Sequence, residues 1–167
     1  MLQTKINPHF LYNALNSISS LAEDEPEQAE KMVLSLAELF RYSINSEEGH
    51  FTKVSQAIEI CEKYLEIEKV RYGDRLNYNF QIEKETEELL IPRFLLQPLV
   101  ENAIKHGISK IRKGEIKLKI NKKEEYLNIL LHDNGPPFPN IFLSGYGSTN
   151  IKKKLKILYK SQHEIQY

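Results

Sequence analysis

Four short stretches carry side chains with usable chemistry. In Asn7-Pro8-His9-Phe10 an imidazole stands in or beside a proline-marked helical turn. A neutral imidazole is a good nucleophile near neutral pH, since its reference pKa is about 6.5. Asn13, one helical turn further on, shares its face and can orient the ring. The second stretch is Glu101-Asn102-Ala103-Ile104-Lys105-His106-Gly107, in which Asn102, Lys105 and His106 fall at i, i+3 and i+4 as one polar stripe of a helix. An amide oxygen and a carboxylate suit a hard cation such as magnesium, and Lys105 can reach a phosphate. In Asp133-Asn134-Gly135 a carboxylate able to accept from an exocyclic amine follows a buried strand, and Gly135 lets backbone come close. Gly145-Tyr146-Gly147-Ser148 precedes a helix, where successive N–H groups can hold a phosphate. Singly, each has a plainer reading: a surface histidine, a solvated stripe, a turn, a loop.

The elements that must position these groups are legible from hydrophobic period. Leu11, Ala14, Leu15, Ile18 and Leu21 recur at helical spacing. Asp24, Glu25 and Pro26 open a second helix, with acids and a proline in the first turn and an apolar face of Ala29, Met32, Val33, Leu36, Phe40 and Ile44. Ser55 caps a third, carrying Ala57, Ile60, Cys61, Tyr64 and Ile67 and closed by Tyr72-Gly73-Asp74. From Leu76 the period becomes two, with Tyr78, Phe80 and Ile82 on the same face, a half-buried strand. Pro92 opens an apolar helix from Phe94 to His106, with Leu95, Leu96, Leu99, Val100 and Ala103 on its buried face, and Gly107 ends it in the left-handed conformation. Ile116, Leu118 and Ile120, a turn over Lys122 to Glu125, then Leu127, Ile129 and Leu131 predict a hairpin. A last helix is expected from Asn150 to Tyr159, with a strand starting at His163.

Composition bounds the answer. The chain has 167 residues with 23 Lys+Arg against 23 Asp+Glu, and this neutrality argues against nucleic acid held by bulk charge. The single Cys61 excludes an internal disulfide or a multi-cysteine zinc site and reads as a buried thiol. No apolar run approaches the roughly 20 residues needed to span a bilayer. Three helices with short connections can bury their stripes against each other or against a second copy.

In their order and spacing the four stretches resemble the H, N, G1 and G2 boxes of sensor histidine kinases. The resemblance is to the LytS-like (autolysin-regulator) branch. It is carried by Ile6-Asn7-Pro8-His9-Phe10-Leu11-Tyr12-Asn13, by Tyr64-Leu65-Glu66-Ile67-Glu68 with Arg71-Tyr72, by Ile91-Pro92, and by Leu96-Gln97-Pro98-Leu99-Val100 running into Glu101 to Gly107. It implies an α+β chain: a helical dimerisation and phosphoacceptor region over residues 1–74, then a two-layer α/β sandwich ATP-binding domain of the gyrase and histidine-kinase type over 75–167, cut short at its C-terminus.

The same resemblance makes His9 the acceptor of the γ-phosphoryl group of ATP, gives magnesium to Asn102 with Glu101 beside it, and sets Asp133 on the adenine amine. Gly135 shapes that pocket, Gly145, Gly147 and Ser148 form the phosphate lid, and Lys105 and His106 contact phosphate. A response regulator and a second copy of the chain are the implied partners, and the cytoplasmic portion of a bacterial inner-membrane protein is the implied setting. Three positions depart from common kinase patterns: Phe10 stands where many kinases have an acid, Pro137 replaces a G1 glycine, and Ser148 follows the second lid glycine. The proton acceptor for His9 is thereby unassigned. Two other readings stay open, a non-catalytic scaffold and a gyrase-type ATPase in which Glu101 activates water.

Overall fold

The computed structural model describes residues 7–44, 49–136, 155–157, 159 and 164. It has the expected α+β order, helices first and a sheet after them. Helix α1 (Pro8–Asp24) and helix α2 (Pro26–Ile44) form an antiparallel pair lying on helix α3 (Val54–Tyr72). The seam is narrower than the sequence suggests. Ala29, Met32, Leu36 and Leu39 are buried, whereas Val33 and Ile44, expected on the inner face, are 48% and 70% exposed. Spacing of this kind suits helices that meet along a thin line.

Helix α3 is buried on two sides, because α1 and α2 cover one flank and the sheet region the other. Ile58, Leu65 and Glu68 therefore join the expected Ala57, Ile60, Cys61, Tyr64 and Ile67 in the interior. Its start also differs from expectation. Ser55 already lies in the first turn, and the Gln56 Oε1 accepts from the Thr52 hydroxyl at 3.0 Å and the Lys53 N–H at 3.4 Å, closing the turn ahead of it. The Cys61 thiol is fully buried, and desolvation pushes its pKa up, which leaves it an inert packing group.

Strand β1 (Phe51–Lys53) was not apparent from the sequence. It pairs antiparallel with strand β3 (Leu90–Pro92), Thr52 opposite Ile91. Pro92 thus ends a strand instead of opening a helix. The Arg93 N–H continues the ladder to the His50 carbonyl at 2.8 Å, and Phe94, at φ 61°, turns the chain. Helix α4 (Gln97–Asn102) starts five residues later than Pro92, with Pro98 as its first-turn proline. A single π turn, Ala103–Gly107, and a 3-10 turn, Ile108–Lys110, follow.

The main sheet has the order β2 (Leu76–Ile82), β4 (Gly114–Lys123), β5 (Tyr126–Asp133). Strands β2 and β4 are parallel, and β4 and β5 form the expected hairpin, with Glu124 at φ 53° in its turn. Register puts Tyr78, Phe80 and Ile82 beside Ile116, Leu118 and Ile120, and these beside Asp133, Leu131 and Ile129. One face of the sheet is therefore apolar and covered, with Leu76, Ile116, Leu118 and Ile120 among the most deeply buried side chains. Burying each such side chain contributes roughly 1.5–3 kcal/mol. Residues 155–157 and 159 are helical and Glu164 lies in neither helix nor strand, while the remainder of the expected last helix and of the strand from His163 lies outside the described residues. No described helix is long and apolar enough to cross a membrane.

Candidate active site

His9 is set by the start of α1. Asn7 caps the helix, its Oδ1 accepting the His9 N–H at 3.0 Å, and Pro8 occupies the first turn, where a missing N–H costs nothing. The His9 side chain is exposed, and its neighbour Phe10 is buried and lies on the Tyr64 ring at 4.8 Å between centroids. An apolar residue after the histidine thus anchors the turn and carries no proton. Asn13 Nδ2 lies 3.1 Å from His9 Nδ1. Turning the amide over presents its oxygen instead, so Asn13 can receive a proton-bearing Nδ1 and leave the Nε2 lone pair bare. Among the described residues no carboxylate pairs with His9.

Beneath this turn lies a buried polar group that the sequence offered only as part of a motif. Glu68 is 4% exposed; its Oε1 is 3.5 Å from the Tyr64 hydroxyl and its Oε2 is 3.7 Å from Arg71 Nη1, an ion pair too long for a hydrogen bond. Burial raises the Glu68 pKa, and Arg71 and Tyr64 oppose the rise. Glu68 and Arg71 line a narrow crevice with Phe10, Asn13 and Ser17 of α1.

Glu101 and Asn102 are successive residues of α4 but the carboxylate of Glu101 is accounted for. Its Oε1 accepts from Gln97 Nε2 at 2.8 Å, and both side chains line a second narrow cleft with Asn7, Phe10, Leu36 and Ser43. Glu101 therefore borders the contact between α4 and the acceptor turn. Desolvation raises its pKa, and the Gln97 hydrogen bond opposes this.

A raised carboxylate pKa means that the folded chain keeps a proton that the unfolded chain has released. Stability then falls as pH rises from the unfolded carboxylate value, about 4.3, through the folded one. Glu101→Gln keeps an acceptor for Gln97 and removes the charge. Its urea midpoint should gain on the parent's between pH 4 and pH 7, and a difference that stays flat would place the carboxylate in water.

Asn102 is half-buried at the end of α4. Lys105 and His106 do not continue its α-helical stripe, because the π turn shifts their register; Lys105 is exposed and His106 half-buried. Burial, then Lys105 and Lys110, lower the His106 pKa.

Asp133, Gly135 and Gly107 come together. Asp133 ends β5 on the apolar face of the sheet, in the row of Leu131 and Ile129, and an acid in that row is the signal the sequence pattern held without its being read. Its Oδ1 accepts the Gly135 N–H at 2.9 Å. A Cβ added at Gly135 would lie 2.2 Å from the Gly107 Cα, so two backbones touch here. Gly107 itself has φ −96° and not the expected left-handed value; it is glycine for space. Asn134 fixes the turn, its Oδ1 accepting the Glu115 N–H at 2.7 Å and its Nδ2 donating to the Lys113 carbonyl at 3.0 Å. Gly145, Gly147 and Ser148, with Pro137, lie outside the described residues.

Known proteins are similar to this sequence. Residues 1–76 match the family described as histidine kinase. The chain is 34% identical over 151 residues to sensor protein LytS of Staphylococcus epidermidis, covering 90% of this chain and 26% of that protein. It is 35% identical over 167 residues to sensor histidine kinase BtsS of Escherichia coli K12, covering 99% and 30% respectively. It is 31% identical over 155 residues to sensor histidine kinase/phosphatase LytS of Staphylococcus aureus N315, covering 92% and 26%. The chain thus spans less than a third of the length of these relatives. Among solved structures, the histidine kinase domain of a blue-light activated kinase from Erythrobacter litoralis EL346 superposes with a TM-score of 0.48 at 13% identity, over 89% of this chain and 82% of that one. Over nine-tenths of its length or more this chain is thus similar to LytS and BtsS, and its first 76 residues match the histidine kinase family.

Proposed function

We propose that this segment binds magnesium-ATP and transfers the γ-phosphoryl group to His9, from which it passes to an aspartate of a response regulator. The observation that carries this reading is the state of His9: an exposed imidazole on a capped helix start, with Asn13 against Nδ1 and no partner at Nε2 among the described residues. The Nε2 lone pair forms the new N–P bond as the bond to the β-phosphate oxygen breaks and ADP leaves. The proton on Nδ1 is lost to solvent, in keeping with the lack of a carboxylate against the ring among the described residues. The product is a phosphoramidate, reactive enough for a carboxylate to take the group.

The nucleotide end fits the residues present. Asp133 has one oxygen held by Gly135 and the other without a partner among the described residues, suited to an exocyclic amine, in a cradle that a Cβ at Gly107 or Gly135 would fill. Asn102 offers an amide oxygen to a magnesium ion carried mainly by phosphates, as that ion prefers. Magnesium, when bound, neutralises charge that builds on the phosphoryl oxygens. We assign the phosphates to Lys105 and His106, and the lid to Gly145, Gly147 and Ser148. Glu101 joins the helix of Asn102 to the turn of His9, and unchanged magnesium dependence in Glu101→Gln would support that role over a metal-ligand one.

A second copy of the chain is the partner we assign to the outer face of α1 and α2, where Tyr12, Leu15, Val33 and Leu34 are 66%, 51%, 48% and 58% exposed. Sedimentation equilibrium giving a monomer at micromolar concentration would remove that part of the proposal. The central test is incubation with γ-labelled ATP, with and without magnesium. We expect magnesium-dependent protein labelling that survives alkali and is lost in acid. Nucleotide binding without label favours a scaffold, and free phosphate without labelled protein favours an ATPase.

A further inference from the structure

We propose that Gly107 is a positioning residue for purine selectivity: by carrying no side chain it holds the Asp133 carboxylate in the orientation that receives a 6-amino group. The inference rests on the reading of Asp133 as the adenine contact and adds to it a residue outside the Asp-x-Gly stretch.

Gly107 ends the π turn with a negative φ, −96°, so it is not needed for a left-handed backbone. Its reason is spatial and specific. A Cβ built there would lie 2.3 Å from Asp133 Oδ1, 2.9 Å from Cγ and 3.5 Å from Oδ2, and these are its three nearest neighbours. On the opposite side a Cβ at Gly135 would lie 2.7 Å from the same Oδ1. Asp133 Oδ1 is thus confined between two glycines, with the Gly135 N–H bonded to it at 2.9 Å.

The backbone of Asp133 cannot yield, because it is paired with Ile116 in the central strand of the sheet. Its side chain has only a short lever, so a methyl group at position 107 must rotate the carboxylate about Cα–Cβ. Rotation breaks the Gly135 hydrogen bond and moves Oδ2 as well. Alanine at 107 therefore alters recognition at a purine 6-position without touching the nucleotide. Gly135 differs in kind, since its Cβ would meet the backbone of Gly107.

The test compares binding of ATP and inosine triphosphate, whose 6-oxo group cannot donate to a carboxylate, by calorimetry on the chain as it stands. The parent should prefer ATP. In Gly107→Ala, ATP affinity should fall about 10–100-fold, the range for losing a hydrogen bond to a charged group. Inosine triphosphate affinity should stay within about twofold of the parent's, so the preference collapses while the melting temperature is kept. Asp133→Ala removes the group that the methyl would strike, and in that background Gly107→Ala should leave the ratio of affinities unchanged. That pair of variants carries the test should the single variant not fold. A Gly107→Ala protein as selective as its parent overturns the assignment, as does a ratio that shifts further in the Asp133→Ala background. A parent that binds neither nucleotide overturns the nucleotide reading itself, and the role of Gly107 with it.

Discussion

Replacing His9 by glutamine is expected to abolish labelling by the γ-phosphate of ATP while leaving nucleotide affinity and helix content as they are. The amide keeps the size and polarity of the ring but has no nucleophilic nitrogen. The helix cap survives, because Asn7 accepts from the backbone N–H of residue 9 and not from its side chain. His9 is exposed, so no core packing is lost. Autoradiography after denaturing electrophoresis reads the label, and equilibrium dialysis reads the affinity. Label retained at the parental level would move the acceptor to another residue.

Phe10→Ala should be the most destabilising single change in the acceptor region, by about 3–5 kcal/mol, the range for removing a buried phenyl ring. Phe10 is 7% exposed, lies against Tyr64, and borders both crevices that separate α1 from α3 and from α4. Its loss opens a void shared by all of these elements. Against a total of roughly 5–15 kcal/mol for a chain of this kind, such a cost is a large fraction. Urea unfolding followed by circular dichroism measures it. A cost below about 1 kcal/mol would mean that α1 is not seated on α3 through this ring.

How far the sequence could be read depends on the range of the interaction involved. The first two helices, the strand from Leu76 and the hairpin were legible because each is set by alternation or helical period within its own residues. Pro8 marked the helical turn beside His9 from its own position, whereas the Asn7 cap was not read. The ladder between β1 and β3 was not legible, since three-residue strands have no usable period and their pairing joins residues 51–53 to 90–92. That hidden pairing is also why Pro92 was misread: proline ends a strand as readily as it opens a helix. The width of the buried surface on α3 depends on having neighbours on two sides, which no pattern within the helix states. At the candidate site the same division holds. His9 with Asn13, and Asp133 with Gly135, are local pairs that spacing could suggest, whereas the approach of Gly107 to Asp133 is a contact across the fold.

The ladder between β1 and β3 bears on how the chain can be dissected. Strand β1 precedes α3 in sequence, yet its hydrogen-bonded neighbour belongs to the stretch leading into α4. A fragment beginning after Gly73 would carry β3 without that neighbour and would bare Ile91, Leu96 and Val100, which are now buried. A cut ahead of Phe51 keeps the ladder and α3 with the sheet, and it parts the remainder from the α1–α2 hairpin alone. For recombinant work on the sheet-bearing half, a cut between Ile44 and Phe51 keeps this ladder whole, whereas a cut at Gly73 divides it.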